Sequence, residues 1–96
     1  MSEVLKPASA GTMESSDVLV ELVPAEGREI QLTSVVEAQF GDSILETTRA
    51  VLAEFEITDA VVSLVDKGAF DWVIRSRLQA ACCRATESKF NWKGED

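Results

Sequence analysis

The residues of this chain that could carry chemistry begin with Ser15 and Ser16, adjacent hydroxyls between the carboxylates of Glu14 and Asp17 in the run Ala10-Gly11-Thr12-Met13-Glu14-Ser15-Ser16-Asp17. The small and polar residues of that run predict an accessible turn ahead of a strand. A serine nucleophile needs a base to take its proton, and the chain contains no histidine. A hydroxyl in such a loop is better suited to being modified by another enzyme than to catalysis, so no catalytic residue is expected here. A second serine competes for the role. Ser43, in Asp42-Ser43-Ile44 at or near a helix start, resembles an Asp-Ser-Leu modification tripeptide, but Ser43-Ile44-Leu45-Glu46 also reads as a helix capping box or helix interior. That bland reading is preferred, because the strands on either side of this segment do not suit the all-helical domains in which such a tripeptide is modified.

Other chemistries are poorly supplied. Cys82 and Cys83 are adjacent, which disfavours an unstrained disulfide, and with no histidine they cannot complete a four-ligand zinc site. Reduced thiols in a cytoplasmic protein are expected, and no metal site. The first ten residues lack the layout of a signal peptide, and no apolar run reaches membrane-spanning length. A net charge of −8 without a basic cluster opposes nucleic acid and anionic membrane, and suits docking on basic faces of protein partners. Glu14, Asp17, Glu21 and Glu26 mark one candidate acidic face.

Ninety-six residues, 46% of them hydrophobic, make one domain with a small core. Residues 1–10 show no periodicity and read as a flexible arm, 11–86 as the folded domain and 87–96 as a C-terminal tail, with Phe90 and Trp92 docking or fraying. Val18 to Val23 alternates as a strand, Pro24-Ala25-Glu26-Gly27 carries turn residues, and Arg28 to Thr33 alternates again, which predicts a β-hairpin. The period then changes. Ile44, Thr48, Val51, Leu52 and Phe55 form a helical stripe over at least Ser43 to Phe55, and Val36 and Phe40 extend it backwards, so the helix begins near Ser34 or near Ser43. Ala60 to Val65 is a strand, and Phe70, Val73, Ile74, Leu78, Ala81, Cys82 and Ala85 share one face of a second helix. A helix between strands implies a crossover to a parallel neighbour. The expected fold class is α+β, a small mixed β-sheet covered by two helices.

Three segments taken together resemble one family. Gly11-Thr12-Met13-Glu14-Ser15-Ser16-Asp17, Ser34 to Gly41, and Asp66-Lys67-Gly68-Ala69-Phe70-Asp71 followed by Ile74-Arg75-Ser76-Arg77-Leu78 look like the gamma subunit, or acyl carrier protein, of citrate lyase, with a likeness running from about Pro7 to Ala85. The resemblance implies a 2'-(5''-triphosphoribosyl)-3'-dephospho-CoA group joined by a phosphodiester to the serine after Glu in the Gly-Thr-x-Glu-Ser motif, here Ser15. Ser16 fills a slot often taken by glycine and is the competing acceptor.

As implied partners, an alpha (transferase) subunit exchanges acetyl for citryl on the arm and a beta (lyase) subunit cleaves citryl to oxaloacetate. A prosthetic-group transferase and an acetylating ligase are implied for maturation. The carrier of malonate decarboxylase is the nearest rival, and an unmodified acidic adaptor the rival from another class. Arg75, Arg77 and Arg84 are open between contacts to prosthetic phosphates or a partner and a solvated helix face, and Trp72 and Trp92 between core and interface.

Overall fold

The computed structural model describes residues 3–87. Strand β1 (Ala8–Gly11) leads to β2 (Val18–Pro24) and β3 (Arg28–Ser34), helix α1 (Glu37–Glu54) follows, and β4 (Ala60–Asp66) precedes α2 (Asp71–Thr86). The strands form one mixed sheet in the order β1-β2-β4-β3. The α+β class, a single compact domain with a small mixed sheet and two helices, is the fold of this chain.

The hairpin between β2 and β3 does not form, and that expectation is corrected. Pro24 and Arg28 both lie opposite Ala60, one on each side, so β4 enters between the two strands, antiparallel to β2 and parallel to β3. The turn bridges the two strand spacings, roughly 10 Å, that separate the neighbours of a central strand. Its closing contacts go to the beginning of β4: the Gly27 amide donates to Asp59 Oδ1 at 2.8 Å, and the Ala60 amide to the Gly27 carbonyl at 2.9 Å. β4 lies in the interior of the sheet, where both of its edges are hydrogen-bonded and no residue along it is exposed. The expected parallel return across the first helix is present as β3-α1-β4.

The N-terminal stretch is also corrected, since the arm expected over residues 1–10 is partly built into the fold. Ala8–Gly11 pairs antiparallel with β2, Val4 is buried, and the Leu5 amide donates to the Ala85 carbonyl at 2.9 Å. Ala8 and Ala10 do alternate, but residues this small give almost no hydrophobic contrast from which to read a strand. The expectations for residues 88–96, including Phe90 and Trp92 of the tail 87–96, lie outside the described residues.

Both helices cover one face. Val18, Val20, Leu22, Val62 and Leu64 from the sheet meet Ile44, Val51 and Leu52 of α1 and Ile74, Leu78, Ala81 and Ala85 of α2, all buried. α1 starts at Glu37 and runs through Gly41, so Ser43 is an exposed interior residue of the helix rather than its cap. Its end is a Schellman arrangement, in which Ile57 N–H donates to Leu52 O at 3.0 Å and Glu56 stands at φ 56°. No helix among the described residues is long and apolar enough to cross a membrane.

Candidate functional site

One end of the sheet gathers the loops. β1 finishes at Gly11 opposite Leu19, β2 starts at Val18 opposite Asp66, and β3 finishes at Ser34 opposite the same Asp66. The loop 12–17, the step from β3 into α1 and the loop from β4 into α2 therefore meet there, the usual place for function on a sheet with parallel strands.

Loop 12–17 closes as a turn in which the Asp17 amide donates to the Glu14 carbonyl at 3.1 Å. Ser16 takes φ 67° at its third position, the left-handed conformation that a type II turn needs there and that favours glycine. Ser15, at the second position, is exposed, and its hydroxyl makes no hydrogen bond among the described residues. The loop is fastened on its far side to the chain leaving β4: Ser16 N–H donates to Lys67 O and Lys67 N–H donates to Asp17 O, each at 2.9 Å. Replacing Ser16 by glycine is expected to stabilise the fold by about 0.5 kcal/mol, because relief of the positive φ exceeds the entropy glycine adds to the unfolded chain. Chemical denaturation measures it; a loss of stability would mean that the Ser16 hydroxyl has a structural partner.

Asp17 organises the loop's base. Its Oδ1 accepts from Val18 N–H at 2.7 Å and from Arg77 Nε at 3.1 Å, while its Oδ2 accepts from the Thr12 hydroxyl at 2.8 Å and from an Arg77 terminal nitrogen at 3.0 Å. Thr12 in turn accepts the Glu14 amide at 3.1 Å. The two-pronged Arg77 contact, with help from Thr12 and Val18, holds the Asp17 carboxyl at about 2 against an ordinary 3.8, overcoming the upward push of burial.

A carboxyl whose folded pKa is depressed contributes stability above its unfolded pKa and loses it as pH falls through the folded value. The contribution is worth about 2 kcal/mol at most, less what solvent screens at the half-exposed Arg77. Asp17→Asn is thus expected to lower stability by about 1–2 kcal/mol at neutral pH, with the gap from the parent closing between roughly pH 4 and pH 2. Urea melts of both proteins across that window check it, and a gap that does not change with pH would refute the ion pair as its source.

The second loop is built around Asp66, which is buried. Its carboxylate accepts the Ser34 hydroxyl at 2.8 Å and the Ala69 amide at 3.0 Å, and its carbonyl accepts the Val35 amide at 3.2 Å. Ser34 also accepts the Val36 amide at 3.1 Å at the entrance to α1. One carboxylate thereby ties the exit of β3, the start of α1 and the approach to α2 together.

The three arginines left open by the sequence are all engaged. Arg75 pairs with Glu54, Arg77 with Asp17, and Arg84 donates to the Ser9 carbonyl at 2.7 Å. Arg77 and Arg84 share the face of α2 that lies over β1 and β2, and they anchor those strands. Sequence reasoning flagged Ser15, Asp17 and Arg77 but missed that Thr12, Asp17 and Arg77 form one cluster. The signal was present: hydrogen-bonding residues bracket the loop five positions apart, but their partner lies 60 residues downstream.

Two aromatic positions are corrected. Phe40 and Phe70 were assigned to buried helical stripes, yet they are 52% and 69% exposed, with Trp72 at 70%. They stand at the beginnings of α1 and α2, around a cleft between the two helices rather than against the sheet. Cys82 is buried, which pushes its thiol up to about 12, and Cys83 is half-buried. Neither is in a disulfide. A thiol so held stays protonated and unreactive.

The arrangement offers two adjacent exposed hydroxyls, Ser15 and Ser16, on a short loop clamped at its base, and among the described residues no hydrogen-bonded base is set against either of them. A family model described as malonate decarboxylase delta subunit (MdcD) matches residues 5–85. The chain is 45% identical over 91 residues to a protein of Haemophilus ducreyi named citrate lyase acyl carrier protein, covering 95% of this chain and 96% of the relative. Proteins of the same name from Cronobacter sakazakii and Clostridium perfringens are 47% and 43% identical, covering 91% and 94% of this chain and 91% and 92% of the relatives. Among solved structures, a chain of a Pseudomonas malonate decarboxylase hetero-tetramer in complex with malonate is similar in fold, with a TM-score of 0.61 at 19% identity over 88% of this chain and 92% of the other.

Proposed function

The chain belongs to the family of citrate lyase acyl carrier proteins, and we propose that it carries its acyl groups on a coenzyme A-derived arm attached at Ser15. It is a carrier subunit of a multi-subunit complex, not a catalyst. The observation that carries the site is the contrast between the two neighbouring serines. Both are exposed with hydroxyls unengaged among the described residues, but Ser16 has its amide bound to Lys67 and its backbone held at a positive φ, whereas Ser15 stands at the second position of the turn with its amide in no such clamp. An enzyme adding a group needs a hydroxyl it can surround, and the second position of the turn supplies one.

The residues fit the 2'-(5''-triphosphoribosyl)-3'-dephospho-CoA group, since a phosphodiester asks only for a reachable hydroxyl and a support that tolerates an arm. When bound, the group supplies a thiol whose thioesters activate acyl groups for exchange and cleavage by partner subunits. The chain's part is positional. The Asp17–Arg77–Thr12 cluster and the Lys67 backbone hold the base of the loop, so the arm swings from a fixed point. Tethering at a fixed point keeps the effective concentration of the arm at neighbouring active sites in about the millimolar range.

The partners we assign are the alpha (transferase) and beta (lyase) subunits of citrate lyase, with a prosthetic-group transferase and an acetylating ligase acting earlier, all in the cytoplasm. The carrier of malonate decarboxylase is the second reading, supported by the description of the matching family model. The names of relatives at 43–47% identity favour citrate. Intact mass spectrometry and peptide mapping of the chain, purified from its native host during citrate fermentation, test the proposal. The expected result is an added mass matching the dephospho-CoA derivative on the peptide containing Ser15. A bare chain from cells actively cleaving citrate would overturn it in favour of an unmodified adaptor, and assembled complex that decarboxylates malonate but leaves citrate untouched would move the chain to the second reading.

A further inference from the structure

The loop end of the sheet carries a feature the attachment site does not use. Between the first turns of α1 and α2 lies a cleft of about 570 Å³, walled by Val36, Ile44 and Ile74 and floored by Gly68 and Ala69. Phe40, Phe70 and Trp72 stand around it, and all three are more than half exposed. Three large exposed aromatics on a domain this small are a concentration that solvent alone does not favour, and Trp and Phe are the side chains that anchor protein interfaces. The cleft adjoins the attachment loop directly, because Gly68 follows the Lys67 whose carbonyl holds Ser16.

Carboxylates outnumber cations beside it, three against the one ammonium of Lys67, which precedes Gly68. Asp71 lines the cleft, Glu37 stands one turn before Phe40, and Glu14 lies in the attachment loop. None of the three makes an ion pair among the described residues. The guanidinium of this end, on Arg77, is already committed to Asp17.

We propose that this aromatic cleft is the surface by which the chain docks onto a catalytic subunit of its complex, receiving an apolar ridge of that subunit flanked by Lys or Arg. The proposal rests on the carrier reading. Charge selects among the possible occupants. A second copy of this chain would bring the same carboxylates and the same net charge of −8 against them, and the phosphates of the prosthetic arm would meet like charge. A basic-rimmed partner gains from both features. Docking beside the loop also puts the point of attachment at the edge of the contact, where a swinging arm enters the partner's active site without the domain letting go.

The test titrates the full-length chain, carrying Ser15→Ala to remove the arm, into the purified catalytic subunits and measures binding by calorimetry. Phe70→Ala with Trp72→Ala is expected to weaken binding about tenfold or more, and Asp71→Lys to weaken it further and flatten its salt dependence. Because Phe70 and Trp72 are exposed, the thermal melt of the double variant should stay close to the parent's, while Asp71→Lys, which puts a cation at the start of α2, should lower it by a few degrees. Equal binding by parent and double variant would overturn the docking face and leave the carrier reading standing. Failure of the parent chain to bind, together with no added mass on native protein, would remove the carrier reading and this proposal with it. Two further results would reassign the cleft. A dimer in sedimentation that the double variant abolishes would give it to a second copy. A change in Trp72 fluorescence between unmodified and modified chain, both with Trp92→Phe, would give it to the arm.

Discussion

A Ser15→Ala chain is expected to fold and assemble normally and to leave the complex unable to cleave citrate. Ser15 is exposed and its hydroxyl bonds nothing among the described residues, so stability should stay within about 0.5 kcal/mol of the parent. With no arm and hence no arm thiol on the chain, the activity should fall to background. Ser16→Ala is the matched control, since it removes the neighbouring hydroxyl and keeps the turn, and it should retain both the added mass and most of the activity. Prosthetic mass found on the Ser15→Ala chain, or activity lost only with Ser16→Ala, would move the attachment point by one residue. The pair separates a carrier from an adaptor as well, because an adaptor should tolerate both changes.

The largest effect on folding is expected at Gly11, the first residue of the Gly-Thr-x-Glu-Ser motif. Gly11 ends β1 at φ 92°, and a Cβ placed there would lie 1.8 Å from the Val18 carbonyl oxygen and 3.2 Å from Arg77 Cδ. Val18 cannot retreat, being buried at the start of β2 with its amide bound to Asp17. Gly11→Ala therefore combines a backbone collision with left-handed strain. We expect a loss of about 3–5 kcal/mol, a large part of what a domain of this size possesses, and a fall in Tm of roughly 15–30 °C. Gly27→Ala provides the comparison. Its φ is 77°, but a Cβ there meets nothing within 4 Å, so only the conformational cost of about 1 kcal/mol applies. Thermal melts of both variants decide the matter. If Gly11→Ala melts within about 3 °C of the parent, Val18 and Arg77 are able to yield and the close approach is not what the glycine serves. The glycine of the motif is thus a packing requirement of the clamp beneath Ser15, separate from the chemistry at the hydroxyl.

By itself the sequence determined the two helices, the strands β2, β3 and β4, the parallel return across α1, and the loop that presents Ser15. Each of these is local: a period of two or of 3.6 over a run long enough to be unambiguous, or small polar residues between two such runs. It determined the family for the same reason, since the matched segments are short and contiguous. Only the tertiary structure decided that β4 opens the expected hairpin and takes its centre, because the turn at Pro24-Ala25-Glu26-Gly27 is compatible with adjacent strands and with strands one apart. The interior place goes to the strand whose Val62 and Leu64 are fully buried, while Ile30 and Leu32 of β3 at the edge are only partly so.

Tertiary structure also decided that Ala8–Gly11 is a strand, where alanines hide the alternation, and that Phe40 and Phe70 are exposed, because a helical stripe does not reveal which of its end residues meet the core and which border an open cleft. Above all it decided that the separate segments of the motif are one object. Asp17 meets Arg77, Ser16 meets Lys67 and Ser34 meets Asp66 across separations of 60, 51 and 32 residues. Such pairings are set by sheet register and helix placement, which depend on the burial of the whole core and on no single stretch of chain.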